Sequence, residues 1–428
     1  VNDLGRHQEA LSLFKTSLLL NPYDADTWCN AGLALFSDEQ FERAIPFFHF
    51  SLTLDSHHSA SLINIGQALI NELRPEEAIA YLSKGIALDG SSTNSLWNLA
   101  LGKLLLGEFS EGWQLYETRF DTKQFSATKF PTSGKRVLAL EDLPGPEGPE
   151  LVVWSEQGLG DAIQFIRYLK LLEARGVPFR FHTRPQLVSL FQQWSVFGDR
   201  VELEKTQDPS SDQRPHLPLL SFPHIFKTEL STIPSALPYL RAPGPAPEHL
   251  LVPPPPGGIA VGLVWASNPD NKSMYRHKSM PLELLMPKLL ELLDLDLIDL
   301  HSLQFGSDGS QLDPWRGHER ITDWSQTLKD FSDTAHVIQQ LDLLITVDTA
   351  AAHLAGALNK PCWLLLPANA DFRWLKGRAE SPWYPNGMRL FRQAGRNNWL
   401  SVVAQLHEAF DDLFQLQLGP LAAAKLGR

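Results

Sequence analysis

The 428-residue sequence has little cysteine and a shortage of positive charge. Its two cysteines, Cys29 and Cys362, fall in an apparent helix and an apparent strand, so neither a disulfide framework nor a cysteine-based metal cluster is predicted. The formal net charge is -12, which disfavours a nucleic-acid partner but allows a local basic cleft for a small anion. These features favour a protein of the reducing cytoplasm that does not bind nucleic acid.

Long apolar runs are missing as well. No uninterrupted stretch approaches the roughly 20 apolar residues of a spanning helix, so no membrane span is predicted. The opening residues, VNDLGRHQEA, do not have the pattern of a signal peptide. They also lack an initiator Met and begin partway through a repeat, so we expect a truncated or incompletely recorded N-terminus. The hydrophobic content of 43% is nevertheless ample for the packed cores of two or three domains.

Residues 1–120 repeat themselves with a period of 34 residues. The spacing and the column chemistry resemble the tetratricopeptide repeat, in which each helix pair buries its apolar face by stacking on the next. One half repeat and three fuller ones are predicted, with a groove for a protein or peptide partner; a spacer or dimerisation module is the alternative. The columns are Gly32, Gly66 and Ala100; Ala10, Ala44, Ala78 and Gly112; Phe14, Phe48, Leu82 and Tyr116; and Trp28, Leu62 and Leu96.

A first α/β block is predicted at 150–241, after a connector at 121–149 that is rich in Pro and Gly. The run LVVWSE reads as a buried strand, QGLGD as a tight turn, 162–176 as a helix and 179–183 as the next strand. Gly158 and Gly160 would permit the close backbone approach that a phosphate or sugar hydroxyl requires. Asp161, in the first helical turn, is either a carboxylate that faces the ligand or an N-terminal cap stabilised by the helix dipole.

A second α/β block is predicted at 259–414, after a Pro-rich linker at 242–258 and before a frayed tail at 415–428. It starts with the strand IAVGLVWA, continues through the polar loop SNPDNKSMYRHKS, and ends with an amphipathic helix from Trp399 to about Leu413. Between these lie a leucine-rich helix at 282–293 and a strand at 297–304. Two such blocks in series imply a cleft between two sheets, where a ligand would bind.

The segment LDLLITVDTAAAHLAGALNKPCWLLL, at 341–366, holds the densest set of candidate site residues. It reads as a buried strand at 343–347, a helix of small residues, and a second buried strand at 362–366. Asp348 and Thr349 would then lie between a strand and a helix start, where parallel sheets bind ligands and backbone N–H groups attract phosphate. The alternative is an ordinary helix cap. His353, one turn later, would face the ligand or be a core histidine.

The order of these motifs resembles a GT-B glycosyltransferase, and is similar to the heptosyltransferase family and to bacterial tetratricopeptide–glycosyltransferase fusions that modify proteins. The resemblance covers about Leu151 to Trp399. Where heptosyltransferases usually carry Gly after Asp-Thr, this chain has Ala350, and the first block is short for a full lobe. The matching motifs are Gly158-Leu159-Gly160-Asp161, Gly262-Leu263-Val264-Trp265 with Asn268-Pro269, Ser302-Leu303-Gln304, Asp330-Phe331-Ser332-Asp333-Thr334, VDTAAAHLAGALNKP, and DFRW with SPWYP.

This resemblance implies an α-solenoid of repeats followed by two Rossmann-like lobes, an acceptor lobe at 150–241 and a donor lobe at 259–414. The second lobe would hold a nucleotide-diphosphate sugar as donor substrate, and no other cofactor and no metal are expected. Asp161 is the implied base, and Lys272 and Arg276 are the expected cations unless they form only a solvated basic loop. The implied donor-site residues are Gly158, Gly160, Asn268, Lys272, Arg276, Gln304, Asp348, Thr349, Ala350 and His353.

The predicted activity is transfer of the sugar to a protein that the repeats present. Two alternatives stay open: a non-catalytic repeat scaffold with a degenerate transferase fold, and a transferase that acts on lipid-linked or oligosaccharide acceptors. The sequence is compatible with a homo-oligomer. It does not identify the sugar, the nucleotide, the acceptor or the stereochemical outcome.

Overall fold

The computed structural model describes residues 6–89, 92–122, 130–192, 200–203, 212–385 and 387–422. Parts of the predicted connector and of the predicted tail lie outside these residues. The chain divides into two compact units. Unit 1 consists of Val1–Lys129, Phe226–Thr232 and Asn369–Gly377, and unit 2 of Phe130–Ile225, Ile233–Ala368 and Arg378–Arg428.

Unit 1 is built mainly from helices that pack on their neighbours in the chain. The predicted columns of small residues, Gly and Ala, let these helices approach closely. A Cβ atom at Gly66 would lie 2.4 Å from Cγ of Leu82, and Ala44 and Ala78 are fully buried. The prediction of a helical repeat is therefore confirmed. The helices are α1 (His7–Leu20), α2 (Ala25–Ser37), α3 (Phe41–Leu54), α4 (Ser59–Asn71), α5 (Pro75–Asp89), α6 (Thr93–Leu106) and α7 (Phe109–Tyr116).

The end of unit 1 has an aromatic core to which a distant part of the chain contributes. Trp113 and Tyr116 of α7 lie with their ring centroids 5.7 Å and 5.6 Å from that of Phe372. The backbone N–H of Lys376 donates to the carbonyl of Leu105 at 2.9 Å. The segment Asn369–Gly377, which contains the DFRW motif, is thus part of the same core as the last helix pair.

The first lobe of unit 2 is a parallel sheet whose described strands follow the order β3-β2-β1-β4. Every residue of β1 is buried, as expected for a parallel strand that is covered on both faces. Its strands are β1 (Leu151–Trp154), β2 (Phe179–Thr183), β3 (Val201–Leu203) and β4 (His216–Pro218). Its helices are α8 (Leu159–Phe165), α9 (Leu169–Glu173), α10 (Pro185–Gln192) and α11 (Phe222–Ile225).

The helix predicted at 162–176 is interrupted in the structure. It starts earlier, as α8, and a 3₁₀ turn at Ile166–Tyr168 separates α8 from α9. Within that turn Nε of Arg167 donates to the carbonyl of Gln164 at 2.8 Å, which is an acceptor that a continuous helix would use for its own ladder. The break thus coincides with a hydrogen bond from the buried Arg167 side chain.

The second lobe is a larger parallel sheet, with the order β10-β9-β8-β5-β6-β7 in the described residues. The predicted fold class, a helical repeat followed by two Rossmann-like lobes, is confirmed. The strands are β5 (Ile259–Val264), β6 (Ile298–Ser302), β7 (Ile321–Asp323), β8 (Leu343–Val347), β9 (Cys362–Leu366) and β10 (Met388–Arg392). The helices are α12 (Lys272–Lys278), α13 (Met286–Asp294), α14 (Phe331–Gln340), α15 (Ala350–Ala357) and α16 (Trp399–Ala422).

Two local predictions in the second lobe were wrong. The supposed polar loop contains the helix α12, whose start is capped because Asn271 accepts a hydrogen bond from the N–H of Met274 at 3.2 Å. Lys272 and Arg276 therefore lie on a helix. The final helix, α16, continues to Ala422, well past the expected end near Leu413.

Candidate functional site

A cleft of about 540 Å³ lies in unit 2, where the carboxyl ends of β5, β6 and β8 meet the starts of α8, α14 and α15. Leu159 and Gln186 of the first lobe line it, as do Thr349 and Ala350 of the second. Parallel sheets bind ligands at this end of their strands, and the volume suits a small-molecule ligand. The cleft is therefore the candidate functional site.

The two motifs that the sequence placed in opposite lobes touch each other. A Cβ atom at Gly160 would lie 2.7 Å from Cδ2 of His353 and 3.4 Å from Cα of Ala350. Any larger residue at position 160 would push the start of α8 away from α15. The structure thus brings Gly160, Ala350 and His353 together, and Gly160 is explained by a neighbouring side chain rather than by a ligand.

Asp161 is engaged at the start of its own helix. One of its carboxylate oxygens, Oδ2, accepts a hydrogen bond from the N–H of Gly158 at 2.7 Å. This is the cap that the sequence left open as an alternative, and it holds the carboxylate in a defined place at the edge of the first lobe. The role of Asp161 as a base stays a prediction.

Asp348 is paired with a cation that sequence reasoning missed. Its side chain is buried, and Oδ2 lies 2.6 Å from Nζ of Lys278, at the end of α12. Lys272 and Arg276, the cations chosen from the sequence, are exposed, and neither is among the described residues that line the cleft. If the segment is read as a helix, Lys278 lies about 1.7 turns beyond Lys272, and this reading is the sequence signal that could have found it.

Thr349 begins α15 without capping it. Thr349 occupies the N-cap position, but its side chain makes no capping hydrogen bond, and its hydroxyl lies 3.1 Å from that of Thr346. Thr349, Ala350 and Ala351 line the cleft. Backbone N–H groups in the first turn of a helix have no partner within the helix, so this end suits an anion.

Asp330, unlike Thr349, caps the start of its own helix, α14. As the N-cap of α14 it accepts hydrogen bonds from the N–H groups of Ser332 at 2.8 Å and Asp333 at 3.2 Å. Burial would raise the pKa of this carboxyl, but hydrogen bonds from Ser332, Asp333 and Ser189 outweigh burial and hold the pKa below its ordinary value. Both helices start at the cleft, yet only α14 has its first turn occupied by a side chain.

Gln304 and Asn268 shape the wall of the cleft. The buried Gln304 accepts from the N–H groups of Trp265 and Ala266 at 3.0 Å and 2.9 Å, and Nε2 donates to the carbonyl of Phe305 at 2.9 Å. Its amide therefore ties the end of β5 to the end of β6. Gln304 also lines the cleft, and its contact with the donor stays a prediction. Asn268 lines the cleft, and its Oδ1 accepts from a backbone N–H two residues on at 3.1 Å.

An aromatic residue of the cleft was also missed. Phe305 lines the cleft and is 48% exposed, which is unusual for a large apolar side chain beside a pocket. It follows Gln304 directly, at a turn that continues through Gly306 with a φ of +81°. The sequence signal was weak, because a single Phe after a strand has many ordinary uses.

Comparisons with known proteins support the helical repeats. A family model described as tetratricopeptide repeat matches residues 59–92, which contain α4 and α5, so that prediction is confirmed. Among curated proteins, Protein FlbA of Caulobacter vibrioides (strain ATCC 19089 / CIP 103742 / CB 15) is 27% identical over 337 residues, 72% of this chain and 53% of that protein. The chain spans about half the length of the curated relative that it matches.

Solved structures resemble the two parts separately. The E. coli heptosyltransferase WaaC with ADP-2-deoxy-2-fluoro heptose is 11% identical, with a TM-score of 0.40 over 61% of this chain and 99% of that chain. The MamA protein is 21% identical, with a TM-score of 0.26 over 28% of this chain and 67% of that chain. The fold assignment itself rests on the topology described above.

In the described residues, no helix has the length and apolar character needed to cross a membrane.

Proposed function

We propose that the chain is a glycosyltransferase whose cleft holds a nucleotide-diphosphate sugar. The observation that carries this proposal is the start of α15, which opens on the cleft without a side-chain cap. The first turn of a helix offers unpaired N–H groups and the positive end of the dipole, which together suit a diphosphate. On this proposal the N–H groups of Ala350 and Ala351 receive the diphosphate.

Positive charge at the cleft comes from two sources on this proposal. The helix dipole of α15 acts at the phosphates, and Lys329 lines the cleft. A dipole and cations aimed at a departing diphosphate stabilise the charge that develops in the transition state, so we propose transfer without a metal ion. Lys272 and Arg276 stay predicted contacts that binding measurements on their variants will test.

Asp161 would supply the base. The acceptor hydroxyl attacks the anomeric carbon, a new carbon–oxygen bond forms, and the bond between that carbon and the diphosphate oxygen breaks with its electron pair. The proton of the hydroxyl passes to the Asp161 carboxylate. Proton transfer of this kind requires the base within hydrogen-bond reach of the hydroxyl, and the Gly158 cap already holds the carboxylate at the edge of the first lobe.

The acceptor is proposed to be a protein or peptide bound by the repeats of unit 1. Helical repeats of this kind form extended concave surfaces that suit polypeptides. Mass spectrometry of proteins co-expressed with the chain tests the proposed protein acceptor, because a sugar adduct on a polypeptide is expected only if the acceptor is a protein.

The described cysteines, Cys29 and Cys362, are buried free thiols, which suits a reducing compartment such as the cytoplasm.

Binding and turnover of a panel of nucleotide sugars test the main proposal. We expect at least one donor to bind and to be hydrolysed or transferred, and we expect Asp161→Ala to abolish transfer while donor binding persists. Asp270→Ala is the control, since it removes an exposed carboxylate that lines the cleft. Absence of donor binding, or full activity of Asp161→Ala, contradicts the proposal, and binding of no donor at all favours the scaffold alternative.

A further inference from the structure

Helices α8 and α15 start together at the cleft, although they belong to different lobes. A Cβ atom at Gly160 would lie 3.4 Å from Cα of Ala350 and 2.7 Å from Cδ2 of His353, so the first turns of the two helices are in close contact. The first turn of α8 carries Asp161, and the start of α15 is the proposed diphosphate site. The separation between base and donor therefore depends on how these two helices are held together.

Tyr239, in the segment that connects the two lobes, joins the same helices towards their other ends. Its hydroxyl donates to the carbonyl of Ile163 in α8 at 2.9 Å. Its backbone N–H donates to the carbonyl of Ala357, the last residue of α15, at 3.0 Å, and the N–H of Leu240 donates to the same carbonyl at 3.2 Å. Both Tyr239 and Leu240 are buried. A single residue of the connecting segment thus bonds to α8 and to α15.

The buried side chain of Arg167 extends this link across the lobes. Arg167 lies in the 3₁₀ turn after α8, is 1% exposed, and donates from Nη2 to the Tyr239 hydroxyl at 3.0 Å. Nη1 donates to the carbonyl of Trp383 in the second lobe at 2.7 Å and to that of Pro234 at 3.2 Å. An arginine keeps its charge when it is buried, so its N–H groups need acceptors. Together with the carbonyl of Gln164, three segments of the chain supply them.

The SPWYP motif of the second lobe completes the contact. Trp383 packs edge-on against Phe165 of α8, with the ring centroids 5.4 Å apart. Cζ of Arg167 lies 4.8 Å from the centroid of the Tyr384 ring, and the Tyr384 hydroxyl lies 2.9 Å from Nδ1 of His353 in α15. Trp383 and Tyr384 are both buried. Separating the lobes here would expose two large aromatic side chains and break several buried hydrogen bonds, which is costly.

We propose that Arg167 and Tyr239 are positioning residues, which hold α8 against α15 and thereby hold the Asp161 turn at a fixed distance from the diphosphate site. With Trp383 and Tyr384 they form an interlobe clamp. The two lobes then keep one spacing at the clamp, with or without a bound nucleotide. The inference rests on the proposed function for the roles of Asp161 and of the start of α15, whereas the clamp can be measured without any substrate.

Distances between spin labels test the clamp without an assay of transfer. The labels are attached at Ala174→Cys in the first lobe and Glu283→Cys in the second, which are both exposed positions. The native Cys29 and Cys362 are buried and should not react. Electron–electron double resonance should give one narrow distance distribution, which ADP, UDP or GDP shifts by less than about 2 Å. A larger shift would show that the lobes move at the clamp and would overturn the inference.

Two variants of the doubly labelled chain loosen the clamp to different degrees. Tyr239→Phe removes only the hydroxyl that joins Arg167 to Ile163, whereas Arg167→Met removes every hydrogen bond of the guanidinium. We expect both to broaden the distance distribution, Arg167→Met more strongly. Tyr275→Phe is the control, since its hydroxyl bonds to Asp308 within the second lobe. If Arg167→Met does not fold, Tyr239→Phe decides alone: a distribution like that of the unaltered chain, or equal broadening in Tyr275→Phe, overturns the inference.

Kinetics test the positioning role. Tyr239→Phe leaves the residues of the site unaltered but loosens their spacing, so we expect kcat to fall about 10- to 100-fold, with the KM for donor changed less than about threefold. The pH dependence of kcat should keep its shape, because the same carboxylate still acts as the base. A rise in KM with kcat unchanged assigns Tyr239 to donor binding and overturns the inference. Absence of transfer by the unaltered chain counts against the proposed function, while the label distances still decide on the clamp.

Discussion

The starts of α14 and α15 differ in the place of a single aspartate. In α14 the acid, Asp330, stands at the N-cap and bonds to the first N–H groups of its helix. In α15 the acid, Asp348, comes one residue before the N-cap and pairs with Lys278, while Thr349 leaves the helix uncapped. A shift of one residue thus separates a closed helix end from an open one. The comparison teaches that the position of one acidic side chain decides whether the first N–H groups of a helix are occupied by a cap.

The largest effect is expected when the ion pair between Asp348 and Lys278 is broken. Lys278→Met leaves the buried carboxylate of Asp348 without its ammonium partner, and removing one member of a buried pair costs about 3–5 kcal/mol of unfolding free energy. Urea denaturation measures the loss. Lys272→Met, at an exposed position of the same helix, should change it by less than about 0.5 kcal/mol. Equal effects of both variants would show that the pair does not hold the turn.

The second effect is expected when α15 is given the cap that α14 has. Thr349→Asp places a carboxylate at the open helix end, where it would occupy the N–H groups and repel a diphosphate, so affinity for a nucleoside diphosphate should fall about 100-fold. Isothermal titration with the nucleoside diphosphate measures this change. Thr349→Asn supplies a neutral cap and should cost less, about tenfold. If Thr349→Asp binds as tightly as the unaltered chain, the diphosphate does not lie at α15.

The third effect is expected when α14 loses its cap. Asp330→Ala removes hydrogen bonds to two N–H groups, which costs about 1 kcal/mol of unfolding free energy. Affinity for the nucleoside diphosphate should stay within about twofold, because the proposed site is at the other helix. The same denaturation and titration experiments provide both values. A large loss of affinity in Asp330→Ala would move the anion site towards α14 and reverse the comparison.

The smallest effect is a pH dependence of the cap that Asp330 forms on α14. Because the folded-state pKa of Asp330 is below its ordinary value, its ionised form stabilises the fold fully above the ordinary carboxyl pKa, and the contribution is lost as pH falls through the folded pKa. The difference in unfolding free energy between the unaltered chain and Asp330→Asn should therefore shrink on acidification from neutral pH to about 4 and below. Denaturation at several pH values measures it. A difference that grows with acidity would mean that the hydrogen bonds do not favour the ionised carboxylate.

Buried parallel strands were the part of the fold most accessible to sequence reasoning. The strands β2, β8 and β9 were predicted with the bounds found in the structure. The strands β8 and β9 are apolar runs that end at a polar or turn-forming residue, and β2 was predicted from the strand–helix–strand pattern that starts at Leu151. The short strand β7 was not predicted. It is three residues long and only half-buried, so its apolar pattern is too brief to detect.

The candidate site was predictable as a location but not as a set of contacts. Asn268, Gln304, Thr349 and Ala350 were chosen from the sequence and line the cleft, whereas Asp348 and Gly160 are not among the described residues that line it. The position of Thr349 and Ala350 follows from the strand-to-helix turn, which has a known place in a parallel sheet. The contacts of Lys278 with Asp348 and of the Tyr384 hydroxyl with His353 could not be predicted, because the fold rather than the sequence spacing brings these residues together. The contrast between Asp330 and Thr349 depends on side-chain direction, which no periodicity encodes.

The aromatic core of unit 1 has a consequence for how the chain can be cut or inherited. Because Phe372 and Trp374 belong to the same compact unit as Trp113 and Tyr116, the last repeat is discontinuous in the gene. A stop codon or a recombination junction before residue 369 would remove part of the repeat unit's core while leaving every helix of the repeats encoded. The repeats of this protein thus depend on a short segment that lies far along the chain, between β9 and β10.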